Sequence, residues 1–227
     1  MTNQIITISR EYGSGGRDIG RLLAEELGLP LFDKEIMHLA LEKSGMTTDF
    51  VEKHGESVPS KLMLSFQRFS QNVPNIRIPS GFNSHTVAAA STRGGKDSAT
   101  KEDQLFKAQS AAIKELAKAG GCVIVGRCAG HILRDQPKLL SVFIRADFDD
   151  RVARTTSVYG RDPQNAIADV KQIDKHRANY YKLHTHQNWG DAKNYDLMIN
   201  TSYTDVAGAV AVIRSMLEKK SHVQYIN

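Results

Sequence analysis

Cysteine is scarce in this chain, with only Cys122 and Cys128 among 227 residues. Two cysteines make no disulfide framework, and their spacing is not that of a metal knuckle. Their apolar setting, GGCVIVGRCAG, suits reduced, partly buried thiols in a cytoplasmic protein. Long apolar runs are missing as well: nothing approaches the ~20 residues that cross a bilayer, so no membrane partner is expected. The amino terminus, MTNQIITISRE, lacks the basic stretch and apolar stretch of a secretory signal. There is no block of like charge and no stripe of aromatics interleaved with Lys and Arg. The formal net charge of +5 suits a small anionic substrate as well as nucleic acid, and nothing beyond that mild basicity points to nucleic acid. What is there is ordinary for a globular protein: 41% hydrophobic and 24% charged residues, in a length that suits one large domain or a core with an inserted region.

The apolar pattern predicts alternating strands and helices. QIITI (4–8) reads as a buried strand. Ile19, Leu22, Leu23 and Leu27 then recur at helical spacing up to Gly28. LPLFD (29–33) is a short second strand and KEIMHLALEKSG (34–45) a second helix. Residues 46–73 carry two weaker helical patterns, and 74–100 are rich in Ser, Thr, Asn, Gly and Pro; we read 46–100 as an insertion. Regular patterning resumes with a helix over 101–121, strands at 122–125 and 139–144, helices over 147–160 and 163–184, a strand within 195–202 and a terminal helix over 204–219. Five apolar strands separated by helices predict an α/β fold, a parallel sheet covered on both faces. Ligands of such sheets sit at the carboxyl ends of the strands. That edge gathers the glycine loop after strand one, Asp33 after strand two, Gly126-Arg127 after strand three and Thr201-Ser202 after strand five.

The stretch ITISREYGSGGRDIG (5–19) runs from strand through glycine loop into helix, which is how backbone N–H groups are brought around a phosphate. Against G-x-x-x-x-G-K-[ST] it departs at three places: Glu11 stands for the first glycine, Arg17 for the lysine and Asp18 for the Ser/Thr. A guanidinium binds phosphate oxygens through its planar fork. A carboxylate at 18 suits either a metal ligand or a helix N-terminus. Two other readings compete: a plain glycine turn capping a helix, and a dinucleotide fingerprint with Asp33 as the ribose acid. The second requires a glycine where Asp18 stands.

The segments ITISREYGSGGRDIGRLLAEELGLPLFDKEI, DQLFKAQSAAIKELA, CVIVGRCAGHILRD and DKHRANYYKLHTHQNWGDAKNYDLMINTS together resemble the cytidylate kinase-like family of P-loop proteins, which is similar to bacterial CMP kinases. The resemblance spans about residues 4–218. It implies a single domain over 1–227 of nucleoside-monophosphate-kinase type, with an acceptor-binding insertion at about 46–100 and a lid at about 155–190. It implies ATP and Mg²⁺ as cofactors, and phosphoryl transfer to a CMP-like nucleoside monophosphate or a similar small acceptor. Gly13, Ser14, Gly15, Gly16, Arg17 and Asp18 would hold the nucleotide with Arg151 and Arg154, and Asp18 the metal. Arg17, Arg127 and Arg177 would be the catalytic arginines, and Asp33, Arg127 and Gln109 would contact the acceptor. Asp33 is equally suited to cap the helix at 34–44. Cys128 replaces the acid that follows the matching arginine in CMP kinases. A thiol does not accept from the cytosine amino group as a carboxylate does, so the acceptor stays open between CMP, another nucleotide and a different phosphorylatable small molecule. His176, His184 and His186 read as polar lid residues rather than a metal cluster, and Trp189, Tyr180 and Tyr181 as packing in the lid rather than as stacking partners of a base. A nucleotide-binding sensor with little catalysis is the alternative from another class, motivated by the missing Lys and Ser/Thr. Homo-oligomerisation is left open.

Overall fold

The computed structural model describes residues 4–33 and 101–222. The expected helix at 34–45 and the insertion at 46–100 lie outside the described residues. The chain divides into two compact units: residues 1–33 with 120–227, and residues 34–119. Of the second unit, helix α2 (Lys101–Ala119) is described.

The first unit holds a five-stranded sheet: β1 (Ile5–Arg10), β2 (Leu31–Phe32), β3 (Cys122–Val125), β4 (Leu139–Arg145) and β5 (Leu197–Asn200). The strand order is β2-β3-β1-β4-β5 and every pairing is parallel, as the apolar runs predicted. β1 is central, with Ile6 in register with Val123 on one side and Leu140 on the other. The loop that leaves its carboxyl end therefore emerges at the middle of the ligand edge.

Alternation sets the two faces of the sheet. Ile6, Ile8, Val123, Val125, Leu140, Val142 and Ile144 join Ile19 and Leu23 of α1 (Gly16–Leu27) and Ile213 of α6 (Val206–His222) in one buried cluster. Each such side chain contributes roughly 1.5–3 kcal/mol on full burial. The opposite face is more polar. Buried Thr7 looks toward α3 (Ala129–Ile132), and Ser141 takes Asp196 through both its N–H (2.9 Å) and its hydroxyl (3.2 Å). The short α3 was not legible as periodicity, since four residues make barely one turn.

Two helices follow β4: α4 (Phe148–Ser157) and α5 (Pro163–Thr185). α5 starts with Asp162 as N-cap, its carboxylate accepting the Gln164 N–H at 3.0 Å, and Pro163 in the first turn, where a missing N–H costs nothing. α4 and α5 lie against each other.

Candidate active site

The glycine loop is held by bonds from its own sequence and from the ends of β4 and β5. The Glu11 N–H donates to the Ile144 carbonyl at 2.9 Å, which continues the β1–β4 ladder by one residue. Ser14 is fully buried, and its hydroxyl turns back onto the Glu11 carbonyl at 2.8 Å. Thr201, just past β5, donates its hydroxyl to the Ser14 carbonyl at 2.8 Å and contacts the Arg145 carbonyl at 3.2 Å. Gly13 adopts φ +83°, and a Cβ there would lie 2.5 Å from the Arg151 carbonyl oxygen. A Cβ on Gly16 would lie 2.5 Å from Arg10 Cβ. Gly13 thus answers to a close backbone approach and Gly16 to the packing of the Arg10 side chain.

Gly15 is the N-cap of α1, and no side chain caps that end. The first turn of α1 therefore presents backbone N–H groups and the positive end of the helix dipole at the carboxyl edge of the sheet. Arg17 and Asp18 stand on this turn. Arg17 is 56% exposed, and its Nε lies 3.1 Å from Asp33 Oδ2. Asp33 is only 13% exposed and also faces Arg10 at 4.0 Å. The structure thus brings Arg17 and Asp33 together, with Arg10 as a third member that sequence reasoning missed. Asp18 is half-buried beside Tyr159, whose phenol is pushed up by burial and by the Asp18 charge. Arg154 reaches the loop from α4: its Nη1 would lie 3.2 Å from a Cβ on Gly15.

Arg151 and Arg177 occupy a different place. Arg151 is buried, with Nε 3.5 Å from Glu11 Oε2 and Nη1 on Asp174 Oδ2. Glu11 Oε2 also accepts the Ala146 N–H at 3.0 Å. Asp174, on α5, accepts the Tyr12 N–H at 2.7 Å through its other oxygen. Arg177 donates to the Arg10 carbonyl at 3.0 Å and lies 3.9 Å from Asp174. Burial pushes both carboxyls up, against the pull of the Ala146 N–H and Arg151 on Glu11, and of the Tyr12 N–H, Arg151 and Arg177 on Asp174. Glu11, Tyr12 and Asp174 were not singled out from the sequence. A carboxylate one helix turn before the expected Arg177 was the signal available.

Arg127 stands at the ligand edge after β3 and is 7% exposed. Gly126, Arg127 and Cys128 follow one another at φ +78°, +59° and +54°. Left-handed backbone at a non-glycine residue costs on the order of 1–3 kcal/mol and concentrates at functional sites. Cys128 is buried, as is Cys122, whose thiol burial pushes up to about 12. Gln109 is buried on α2, in the second unit. Trp189 packs edge-on against Phe143 at 5.3 Å and Tyr180 against His184 at 4.5 Å. A cleft of about 390 Å³ lies at the amino ends of β4 and β5, lined by Arg134, Asp135, Lys193 and Asp196 among others, and holds no residue of the glycine loop. Among the described residues no group of three His, Cys, Asp or Glu stands ready for a metal, and no helix is long and apolar enough to cross a membrane.

The chain is similar to known proteins in sequence and in fold. Residues 5–203 match the cytidylate kinase-like family. The cytidylate kinase of Pyrobaculum aerophilum is 24% identical over 92% of this chain and 89% of its own length, and that of Archaeoglobus fulgidus 25% identical over 95% of each. A third, from Methanothrix thermoacetophila, is 28% identical over 45% of this chain and 60% of its own length. The crystal structure of an uncharacterized protein from Eubacterium ventriosum is 26% identical with a TM-score of 0.63 over 95% of this chain and 98% of its own. The shikimate kinase of Acinetobacter baumannii matches in fold, with a TM-score of 0.50 at 14% identity over 97% of this chain and 96% of its own. The chain belongs to the cytidylate kinase-like family, and its fold is that of the P-loop kinases.

Proposed function

We propose that the protein transfers the terminal phosphoryl group of ATP to a small acceptor, either a nucleoside monophosphate or a molecule offering an equivalent nucleophilic oxygen. One observation carries this reading: the uncapped first turn of α1 behind a glycine loop locked to β4 and β5, with Arg17 and Arg154 beside it. Phosphoryl transfer asks for positioning and charge neutralisation more than for covalent help. The N–H groups of 13–18 and the guanidiniums of Arg17 and Arg154 would hold the phosphates. Asp18 would carry the Mg²⁺, which when bound would supply positive charge to the phosphates. Arg127, Asp33 and Gln109 would face the acceptor, with the insertion at about 46–100 binding it and a lid at about 155–190 excluding water. Asp33, by pairing Arg17, would orient that guanidinium for transfer. An anionic acceptor oxygen attacks in line without a strong general base. Transfer would break the bond from the terminal phosphorus to the bridging oxygen of ATP as the acceptor oxygen bonds to phosphorus, releasing ADP.

The same departures from the common loop, Arg17 and Asp18, favour a second reading, a nucleotide-binding sensor. A screen with ATP–Mg²⁺ against CMP, dCMP, UMP, AMP, GMP and a set of non-nucleotide acceptors separates the two. Turnover with one acceptor class supports the kinase. ATP binding by calorimetry with no turnover across the panel supports the sensor.

A further inference from the structure

Three consecutive residues where β1 runs into the glycine loop, Arg10, Glu11 and Tyr12, are each gripped by the helices that follow β4. The Arg10 carbonyl accepts from Arg177 at 3.0 Å. The Glu11 carboxylate pairs with Arg151 at 3.5 Å. The Tyr12 N–H donates to Asp174 at 2.7 Å, and its carbonyl accepts from Arg151 at 3.4 Å. The Tyr12 ring lies 5.7 Å under Arg177 and 5.8 Å from the Tyr159 ring. Asp174 is the hub: one oxygen takes the loop amide, the other takes Arg151, and Arg177 stands beside it.

The charges in this hub explain its role. Glu11 and Asp174 are balanced by Arg151 and Arg177, so the cluster brings no net positive charge to the loop. A carboxylate close to the phosphate position would repel a nucleotide unless it were neutralised. Asp174 is only 16% exposed, and a desolvated carboxylate persists where several donors hold it. What the hub supplies is geometry. It ties the backbone that precedes Gly13 to α5, so the direction of the loop amides depends on α5 being seated.

We propose that Asp174 is the positioning residue of the glycine loop: it holds Tyr12 and Arg151 together so that the amides of 13–16 are set for a phosphate before one arrives. This rests on the reading of the loop as the phosphate site. It also gives Arg151 and Arg177 a role at the back of the loop, acting on phosphates through it.

Amide hydrogen exchange on the full chain tests the hub without any nucleotide. In Asp174→Ala, exchange of the peptide covering 10–16 accelerates at least tenfold while that of 5–8 in β1 stays unchanged. Asp174→Asn, which keeps a carbonyl acceptor for the Tyr12 N–H, recovers part of the protection. Should the alanine variant not fold, Asp174→Asn decides, with threefold faster exchange supporting the hub and unchanged exchange overturning it. Calorimetry with ATP–Mg²⁺ then shows at least fivefold weaker binding in folded Asp174→Ala, with the acceptor KM unchanged. A purely structural acid would lower Tm and leave the ATP Kd of the folded protein alone, and that result overturns the proposal, as does loop exchange within twofold of wild type. Failure of wild type to bind ATP would sink the functional reading, and the exchange result would still decide the hub.

Discussion

Replacing Gly13 by alanine places a methyl carbon 2.5 Å from the Arg151 carbonyl oxygen and 2.9 Å from its Cα and Cβ. Two of these are main-chain atoms, and Arg151 is one of the two buried residues of α4, so relief would require the helix itself to shift. The substitution also forces an L-residue to φ +83°. Gly28, the C-cap of α1, is the internal control: its φ is +63°, and a Cβ there meets nothing within 4 Å. Left-handed strain costs alanine about 1–2 kcal/mol at either position. Overpacking adds about 1–3 kcal/mol at Gly13 only. Gly13→Ala is therefore expected to destabilise by roughly 2–5 kcal/mol and Gly28→Ala by about 1–2 kcal/mol. Trp189 is the chain's single tryptophan and packs on Phe143 of β4, so its fluorescence in a urea titration reports the unit that holds the loop. The slope of unfolding free energy with urea should stay constant while the midpoint moves. Equal losses at the two glycines, within about 0.5 kcal/mol, would refute the close approach of α4 to the loop.

Further outcomes follow from the same geometry. Burial lifts Glu11 above its ordinary 4.5 and Asp174 above its ordinary 3.8, so the folded state binds their protons more tightly than the unfolded chain. Their contribution to stability is then complete below those ordinary values and is lost as pH rises through the lifted ones. Urea midpoints measured from pH 4 upward should show this loss, and Glu11→Gln should make it shallower; a slope unchanged in the variant would count against burial as the cause. Cys128→Asp restores a carboxylate beside Arg127 at φ +54°, a conformation aspartate tolerates. It should raise kcat/KM for CMP relative to UMP by roughly tenfold, the worth of one good hydrogen bond to a charged acceptor. An unchanged ratio would show that position 128 does not face the acceptor base.

The parts of the molecule that were legible in the sequence are those set by neighbours in the chain. β1, the glycine loop and α1 follow one another directly, so apolar run, glycines and helical period sit within one window. The strands at 122–125 and 139–144 were legible because both faces of a parallel sheet are covered and the runs are unbroken. The hub behind the loop was not legible, because Tyr12 and Asp174 stand 162 residues apart. A sequence shows that α4 and α5 carry Arg151 and Arg177, but a helical charge pattern looks the same whether the guanidinium meets water or a buried carboxylate. The left-handed turn through Arg127 and Cys128 was hidden for another reason. Glycine announces positive φ, whereas these two residues are held there by the fold around them.

The central claim is that the loop of residues 13–18 serves phosphoryl transfer, and Arg17 is its exposed cation. Arg17→Ala removes a side chain that is 56% exposed, so Tm should hold. The decisive measurement follows labelled terminal phosphate from ATP into the acceptor found in the screen, in wild type and in Arg17→Ala. The account predicts transfer by wild type and a loss of about 10²–10³ in kcat for the variant, with the fold intact by circular dichroism. Undiminished transfer by Arg17→Ala would contradict it.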